Sequence, residues 1–396
     1  MKIACISYFA PGKENNQGPN SLIYQIIAHR RRDISIDIYL PQEILGTMCS
    51  DKIAVIERDL EVKIRPLLHG ARESFLQKML SSWWPSGAKL HYRIDDLLNE
   101  DYDLVWGYPF WTAPYINRIP VSHVISGMDC VTLLYVRKVR ACIADRSWQV
   151  FKYSIALARS FLFEAIFLRH SKVHVVGRRD QVTLKMLGVD SFYVPHPTNP
   201  IAISDNEAVR IQKGGTVRIL VSNSLDKFYG SKTVLEWLKA LFAITLKFPD
   251  TEFEIIFHKG NVQRIKKYMA REKLPEKVKL TFVGWIDNYE TFLSSVDIQI
   301  FPLDVGAGTK TSVLTALYMN VICIGTSIAC ENVETKPESK HLLRANSPNE
   351  FAHQFTAAMG CLQDRTNFPL GYVLAPTHSP ISSVSTFWEN VIQQHA

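Results

Sequence analysis

A glycine-rich turn followed by a lysine is the stretch of the sequence best suited to binding an anion. Residues 301–326, FPLDVGAGTKTSVLTALYMNVICIGT, read as the end of a strand, a turn, a helix and another buried strand. Gly306 and Gly308 allow a sharp turn and a close approach to a ligand, and Thr309 can cap a helix that begins there. The first N–H groups of such a helix attract anions, and Lys310 adds a positive charge. We therefore predict a nucleotide diphosphate site; the alternative is a purely structural turn.

Asp129 is the carboxylate best placed for catalysis. A strand is predicted at 121–126, and Asp129 follows just past its carboxyl end, at the edge where open α/β sheets bind ligands. There it could act as a general base or orient an attacking hydroxyl group. The alternative is that Asp129 only caps the next helix.

His258-Lys259-Gly260 forms a second candidate cluster, at the end of a strand predicted at 253–257. The imidazole and ammonium groups there could contact a sugar or a phosphate. The alternative is a basic turn that merely precedes the basic helix predicted at 262–271.

The sequence does not point to a metal site, although it contains one D-x-D pattern. Asp101 and Asp103 form a D-x-D pattern, but they precede the strand predicted at 104–107 and therefore lie at its entering end, away from the edge where ligands bind. The cysteines include no C-x-x-C pair, which argues against structural zinc. We expect neither a metal nor a cofactor.

The composition is that of a globular protein and excludes several classes. The chain has 396 residues, of which 47% are hydrophobic and 21% charged, with a net charge of +7. That charge is too small and scattered for a nucleic-acid binder, but it suits phosphate groups or an anionic membrane surface. The seven widely spaced cysteines predict free thiols in a reducing compartment. With no signal peptide or membrane-spanning segment in evidence, we expect a cytoplasmic protein that could lie on a membrane.

The elements that must position these residues alternate between strands and helices in two successive series. The first series begins with a strand at 2–9 and a helix from residue 21. The second begins with a strand at 217–222 and a helix at 232–248. This alternation predicts an α/β fold of two Rossmann-like doubly wound domains facing each other across a cleft.

The polar, proline-rich segment between the two series predicts the domain boundary. We expect an N-terminal domain at 1–200, a linker at 201–216 and a C-terminal domain at 217–382. The last helix, within 383–396, has an apolar face with which it could pack back on the first domain.

A long helical pattern at 136–169 carries one apolar face. The residues of that face are Trp148, Phe151, Ile155, Leu162 and Ile166. We predict that most of this segment is a core helix, although its basic and aromatic character also suits attachment to a membrane surface. Upstream, residues 51–64 are predicted to continue the alternation of short strands and loops.

Seven segments, in order along nearly the whole chain, share the pattern of a known family. They are KIACISYFAPGKENNQGPN, HSKVHVVGRRD, VPHPTNP, VRILVSNSLDKFYGSK, FEIIFHKG, VKLTFVGWIDN and VDIQIFPLDVGAGTKTSVLTALYMNVICIGT. In this order and spacing the chain resembles the GT-B glycosyltransferases, specifically the GT4-like group that builds bacterial surface polysaccharides. The resemblance implies transfer of a sugar from a nucleotide diphosphate sugar to a hydroxyl of a growing, lipid-linked glycan, at the cytoplasmic face of a membrane.

Taken with the residue-level arguments, the resemblance implies a set of site residues. The donor-binding candidates are Asn223, Lys227, Lys232, His258, Lys259, Gly284, Gly306, Gly308, Thr309, Lys310 and Thr315. Gly18, Pro19 and Asn20 are the candidates for a loop on the acceptor side of the site. Asp129 is the catalytic candidate.

The chain departs from the family pattern at two acidic positions. The GT4-like group usually has two glutamates flanking the glycine-rich turn, one contacting the donor sugar and the other the ribose. Ala307 and Thr315 stand at those positions here. This leaves open whether the reaction is retaining or inverting. It also leaves two rival functions, a nucleotide-sugar epimerase on the same architecture and a non-catalytic GT-B protein that binds a glycan or a partner.

Overall fold

The structure divides the chain into two compact units. This computed structural model describes residues 1–13, 18–68, 93–94, 97, 99–198, 215–222, 231–258, 262–270, 274–284, 286–362 and 369–393. The first unit comprises Met1–Asn199, Ala307–Thr309 and Thr377–Ala396, and the second comprises Pro200–Gly306 and Lys310–Pro376. Of the predicted linker, residues 201–214 lie outside the described residues.

The first unit is built on a sheet of seven parallel strands in the order β3-β2-β1-β4-β5-β6-β7. The strands are β1 Lys2–Ser7, β2 Ser35–Pro41, β3 Lys63–Leu67, β4 Leu104–Tyr108, β5 His123–Gly127, β6 Lys172–Val175 and β7 Ser191–Tyr193. β1 is a continuous buried run because both faces of a parallel sheet are covered. The order reverses between β1 and β4, so ligand-binding loops are expected at the carboxyl ends of the central strands.

Helices lie between most of these strands in the described part of the first unit, and one of them replaces a predicted strand-and-loop region. The helices are α1 Gly18–Ala28, α2 Gln42–Leu45, α3 Ser50–Leu60, α4 Ala113–Ile116, α5 Val131–Ala144, α6 Val150–Phe163 and α7 Arg178–Met186, with a 3-10 turn at Phe110–Thr112. The prediction of short strands at 51–64 is wrong, because α3 occupies most of that segment. Ile56 and Leu60, one helical turn apart, are its buried residues, and Asp51 and Arg58 suit the dipole at its two ends.

The single helix predicted at 136–169 is interrupted. α5 ends at Ala144, α6 begins at Val150, and a π-helical turn follows at Glu164–Leu168. Between α5 and α6, Arg146 has a φ of 50°, in the left-handed region that a right-handed helix cannot continue through. Among the described residues, no helix is long and apolar enough to cross a membrane.

α6 turns outward the face that the sequence predicted for the core. Its buried residues are Tyr153, Ser160 and Phe163. Trp148 and Phe151, on the predicted core face, are instead 75% and 74% exposed. The prediction of a core-facing stripe is therefore wrong, because periodicity identifies an apolar face but not what covers it.

The second unit is built on a sheet of six parallel strands in the order β10-β9-β8-β11-β12-β13. The strands are β8 Thr216–Ser222, β9 Glu252–His258, β10 Val278–Val283, β11 Ile298–Phe301, β12 Ile322–Gly325 and β13 Leu342–Arg344. The helices are α8 Ser231–Thr245, α9 Val262–Met269, α10 Tyr289–Ser294, α11 Thr311–Tyr318 and α12 Pro348–Cys361. The two parallel sheets confirm the predicted α/β class of two Rossmann-like doubly wound domains.

The last helix, α13 Pro380–Ile392, follows a 3-10 turn at Pro376–His378 and packs on the core of the first unit. The rings of Phe387 and Trp388 lie 5.4 and 6.1 Å from that of Trp106 on β4. The indole N–H of Trp388 donates to the carbonyl of Ile26 at 3.1 Å. The end of the chain thus contributes to the same apolar core as β1 and α1.

Candidate functional site

The acceptor-side residues 18–20 form the first turn of α1 rather than a loop. The side-chain amide of Asn20 donates to the carbonyl of Ala10 at 2.7 Å, which ties this turn to the segment after β1. The phenol of Tyr108, at the end of β4, donates to the carbonyl of Pro19 at 2.8 Å. Gly18, Pro19 and Asn20 are therefore held at the carboxyl edge of the first sheet, where acceptor contacts were predicted.

Asp129 lies just beyond β5, also at the carboxyl edge of the first sheet, and is half-buried. The pKa of Tyr108 is raised well above its usual value, mainly because the phenol is buried and to a smaller extent because of the negative charge of Asp129. The carboxylate is therefore close enough to the central strands to influence their side chains.

The alternative role for Asp129, capping the next helix, falls to other residues. The N-cap of α5 is Cys130, whose sulfur accepts from the N–H of Leu133 at 3.5 Å. The two oxygens of Glu164 accept from the N–H groups of Val131 at 2.7 Å and Thr132 at 3.1 Å. Glu164 is 1% exposed, and burial raises its pKa.

Asp180 is a second buried carboxylate at this edge. It lies in the first turn of α7, after β6, and is fully buried. Its Oδ1 accepts from the N–H of Cys130 at 2.6 Å, and its Oδ2 accepts from the N–H of Gly308 at 3.2 Å. Sequence reasoning missed both Glu164 and Asp180. A single acid inside the apolar run FLFEAIFL was the available signal for Glu164, because a buried carboxylate needs partners.

Gly308 is in close contact with Asp129. Its φ is +63°, and a Cβ added there would lie 1.7 Å from Oδ1 of Asp129, so glycine alone fits. The next residue, Thr309, donates its hydroxyl to the carbonyl of Val176 at 2.5 Å. The groups of Gly308 and Thr309 that were predicted to bind a phosphate thus donate to Asp180 and Val176.

Lys310 stands at the N-terminus of α11 in the second unit. It is the N-cap residue, and its carbonyl accepts from the N–H groups of Val313 at 3.0 Å and Leu314 at 3.3 Å. The prediction that Thr309 caps this helix is wrong. The side chain of Lys310 lies over Gly306, where an added Cβ would be 3.0 Å from Nζ. Gly306 therefore leaves room for an ammonium group beside the positive end of a helix, an arrangement that suits a phosphate.

Thr315 lies inside α11 and is 2% exposed. Its hydroxyl donates to the carbonyl of Thr311 at 3.0 Å, a common back-bond within a helix. Little of this side chain is left for a ribose. Ala307, at the other position where the family has a glutamate, is 2% exposed.

The remaining donor-side candidates lie at or near the carboxyl edge of the second sheet. His258 ends β9 and stacks on Tyr289, with ring centroids 5.6 Å apart. Gly284 follows β10, and an added Cβ would meet nothing within 4 Å. Lys232 points to solvent, with Nζ 4.0 Å from Glu236.

Three donor-side candidates, Asn223, Lys227 and Lys259, lie outside the described residues. In the described part of this edge, Asp304 follows β11, and its Oδ1 accepts from the hydroxyl of Thr233 in the first turn of α8 at 2.5 Å. This bond ties the loop after β11 to the start of α8 and was not predicted. No group of three or more His, Cys, Asp or Glu side chains that could hold a metal ion occurs within the described residues.

The fold now defines a class of protein. Over its whole length the chain has the two-domain fold of the GT-B glycosyltransferases. Residues 220–360, most of the second unit, match the family model described as Glycosyl transferases group 1. The predicted resemblance to the GT-B, GT4-like glycosyltransferases is therefore confirmed. Among curated proteins, no sequence matches the chain.

Three solved structures illustrate the likeness. Sucrose-phosphate synthase from Thermosynechococcus elongatus is 14% identical with a TM-score of 0.60, over 99% of this chain and 96% of that one. A glycosyltransferase from Rickettsia africae is 13% identical with a TM-score of 0.60, over 100% and 98%. HepE of Anabaena, solved in complex with UDP, is 12% identical with a TM-score of 0.58, over 100% and 99%. At these identities the comparison establishes the fold.

Proposed function

We propose that this protein is a glycosyltransferase that moves a sugar from a nucleotide diphosphate sugar to a hydroxyl group of a glycan. The observation that carries the proposal is the match of residues 220–360 to the Glycosyl transferases group 1 family within a chain of GT-B fold. Two features agree with transfer chemistry. The second unit has a lysine at a helix N-terminus, and the first has a half-buried carboxylate at the carboxyl end of a strand.

For the donor, we propose a nucleoside diphosphate hexose bound through Lys310 and the N-terminus of α11. HepE, which shares the fold, has been solved with UDP and with UDP-glucose, which supports this class of donor. The leaving diphosphate carries negative charge, and the Lys310 ammonium together with the α11 amides would stabilise it. This arrangement requires no metal ion, so transfer should survive a chelator.

For the acceptor, we propose a growing, lipid-linked glycan of a bacterial surface polysaccharide, such as O-antigen, capsule or exopolysaccharide. The reaction would then run on the cytoplasmic face of the membrane. Asp129 is the proposed catalytic residue, either taking the proton from the attacking hydroxyl in an inverting reaction or orienting that hydroxyl in a retaining one. The turn at 18–20 would contact the acceptor.

A panel of nucleotide sugars tests the proposal. In one assay, the thermal unfolding of the purified protein is measured in the presence of each donor. In a second assay, the release of nucleotide diphosphate is followed with glycan acceptors and a chelator present. A donor at a hundred times its Kd should raise the free energy of unfolding by about 2.7 kcal/mol. Failure of every donor to bind would refute the proposal. Epimerised donor without an acceptor would favour the epimerase, and donor binding without transfer to any acceptor would favour a binding protein.

A further inference from the structure

An exposed apolar stripe runs along the outer face of α6, from Trp148 in the turn before the helix to Ile166 in the π-turn after it. Its five residues are exposed by 75% at Trp148, 74% at Phe151, 59% at Ile155, 39% at Leu162 and 42% at Ile166. Phe151, Ile155 and Leu162 recur at helical spacing on α6 and share one side over about 17 Å at 1.5 Å per residue, and Trp148 and Ile166 lie just beyond the two ends of the helix. A helix of a globular protein normally turns such a face inward, and a contiguous exposed patch of this kind marks an interaction surface.

The helix that carries the stripe is firmly placed. On its inner side, the ring of Tyr153 stacks on that of Tyr135 of α5, with centroids 6.2 Å apart. Phe163 is 2% exposed and packs on Phe167, with centroids 5.1 Å apart. Glu164, directly after α6, accepts the first amides of α5. The exposure of the stripe is therefore a feature of a well-packed helix.

The charge around the stripe is strongly positive. Residues 131–170 contain seven Lys and Arg against two acidic residues, and one residue of each sign is buried, Arg137 at 9% and Glu164 at 1% exposed. Lys152 is exposed beside Phe151, and Arg146 and Arg169 are exposed near the two ends of the stripe. Apolar side chains flanked by cations on one helix face complement a surface that is anionic outside and apolar beneath.

We infer that α6 docks this protein on an anionic lipid bilayer. The stripe would enter the boundary between headgroups and acyl chains, and the flanking cations would contact the headgroups. A groove on another protein would also cover the stripe, but the centres of protein interfaces are depleted in lysine, whereas Lys152 stands within this one. The inference goes beyond the proposed function, since binding to lipid requires no sugar transfer.

Sedimentation with vesicles tests the apolar part of the inference. The full chain is spun with vesicles of phosphatidylcholine alone and with vesicles that also contain phosphatidylglycerol. A Trp148→Ser/Phe151→Ser double variant should bind at least about tenfold more weakly, because two large apolar side chains are lost from the contact. Thermal unfolding should be unchanged, since both side chains are exposed.

A matched control removes equally exposed apolar side chains elsewhere. Leu246 and Ile381 are 69% and 77% exposed, and neither belongs to the stripe. A Leu246→Ser/Ile381→Ser double variant should bind vesicles as the unmodified protein does. An equal loss in this control would overturn the assignment of the surface to α6.

The charged part is tested separately. Lys152→Gln and Arg146→Gln should each weaken binding to the phosphatidylglycerol vesicles about fivefold and leave binding to phosphatidylcholine unchanged. Added salt should weaken the same contact. Absence of binding to either vesicle would overturn the inference. So would self-association in sedimentation equilibrium that the Trp148→Ser/Phe151→Ser variant abolishes, because it would assign the stripe to a second copy of the chain.

Discussion

The carboxyl edges of the two sheets have the same architecture but different candidate side chains, acidic in the first unit and basic in the second, although Arg178 and Arg179 also lie at the first edge and Asp304 at the second. In the first unit, the loop after β5 carries Asp129, and the first turn of α7, after β6, carries Asp180. In the second unit, the end of β9 carries His258, and the loop after β11 leads to Lys310. The parallel fold determines where ligands can bind, and the loop residues determine the chemistry. An acidic edge suits activation of a hydroxyl, whereas a basic edge suits binding of a diphosphate.

Within the acidic edge, the carboxylates differ in what surrounds them. Asp180 and Glu164 are fully buried and accept backbone N–H groups. Asp129 is half-buried and lies against Gly308. Buried carboxylates that hold amides stabilise loops, while a partly accessible one can still reach a substrate. On this comparison we propose the chemical role for Asp129 and structural roles for the other two.

The largest expected effect comes from exchanging the accessible carboxylate. Asp129→Asn should lower the rate of sugar transfer by about 10²- to 10⁴-fold, the contribution typical of a general base, with little change in thermal unfolding. Asp180→Asn should instead leave the rate of sugar transfer nearly unchanged and lower the free energy of unfolding by about 1–3 kcal/mol. The reason is that one of the two buried N–H groups would then face the NH₂ group of the asparagine rather than an acceptor oxygen. Full turnover by Asp129→Asn would remove Asp129 from the reaction.

A glycine substitution measures the contact between the turn and Asp129. Gly308→Ala should lower the free energy of unfolding by about 3 kcal/mol, because a positive φ is combined with a Cβ placed against the carboxylate. Gly188 has a φ of +75° and nothing within 4 Å, so Gly188→Ala should cost only the conformational part, about 1 kcal/mol. Equal losses in denaturant titrations of the two variants would show that the contact is loose.

The first unit should also be sensitive to acid. Burial lowers the pKa of His174 to about 3 and that of His196 to about 4. Both pKa values lie below the unfolded value of 6.5. The contribution of these two neutral side chains to the free energy of unfolding is therefore complete above pH 6.5 and is lost as the pH falls toward the folded pKa values. His196→Asn should reduce the loss of stability between about pH 6.5 and about pH 5 by about 2 kcal/mol. An unchanged pH slope in chemical unfolding would contradict this.

The two edges also show what the sequence alone can predict. Strand ends follow from short apolar runs, so the places of Asp129 and Lys310 beyond β5 and β11 could be predicted. The roles of Asp180 and Glu164 could not, because their partners lie tens of residues away in the chain and only tertiary packing brings them together. The sequence left the apolar face of α6 with two interpretations, a core face and a membrane-attached surface, because periodicity is the same for both.

The smallest effects separate two lysines at the basic edge. Lys310→Ala should weaken donor binding about 10- to 100-fold, the value of a charge-assisted hydrogen bond to phosphate. Lys232 has a side chain that is 72% exposed and lies 4.0 Å from Glu236, so Lys232→Ala should change donor affinity by less than about twofold. Calorimetric titration of the donor identified by the panel measures both. If Lys232→Ala weakened binding as much as Lys310→Ala, the basic edge would act through its overall potential rather than through one placed cation.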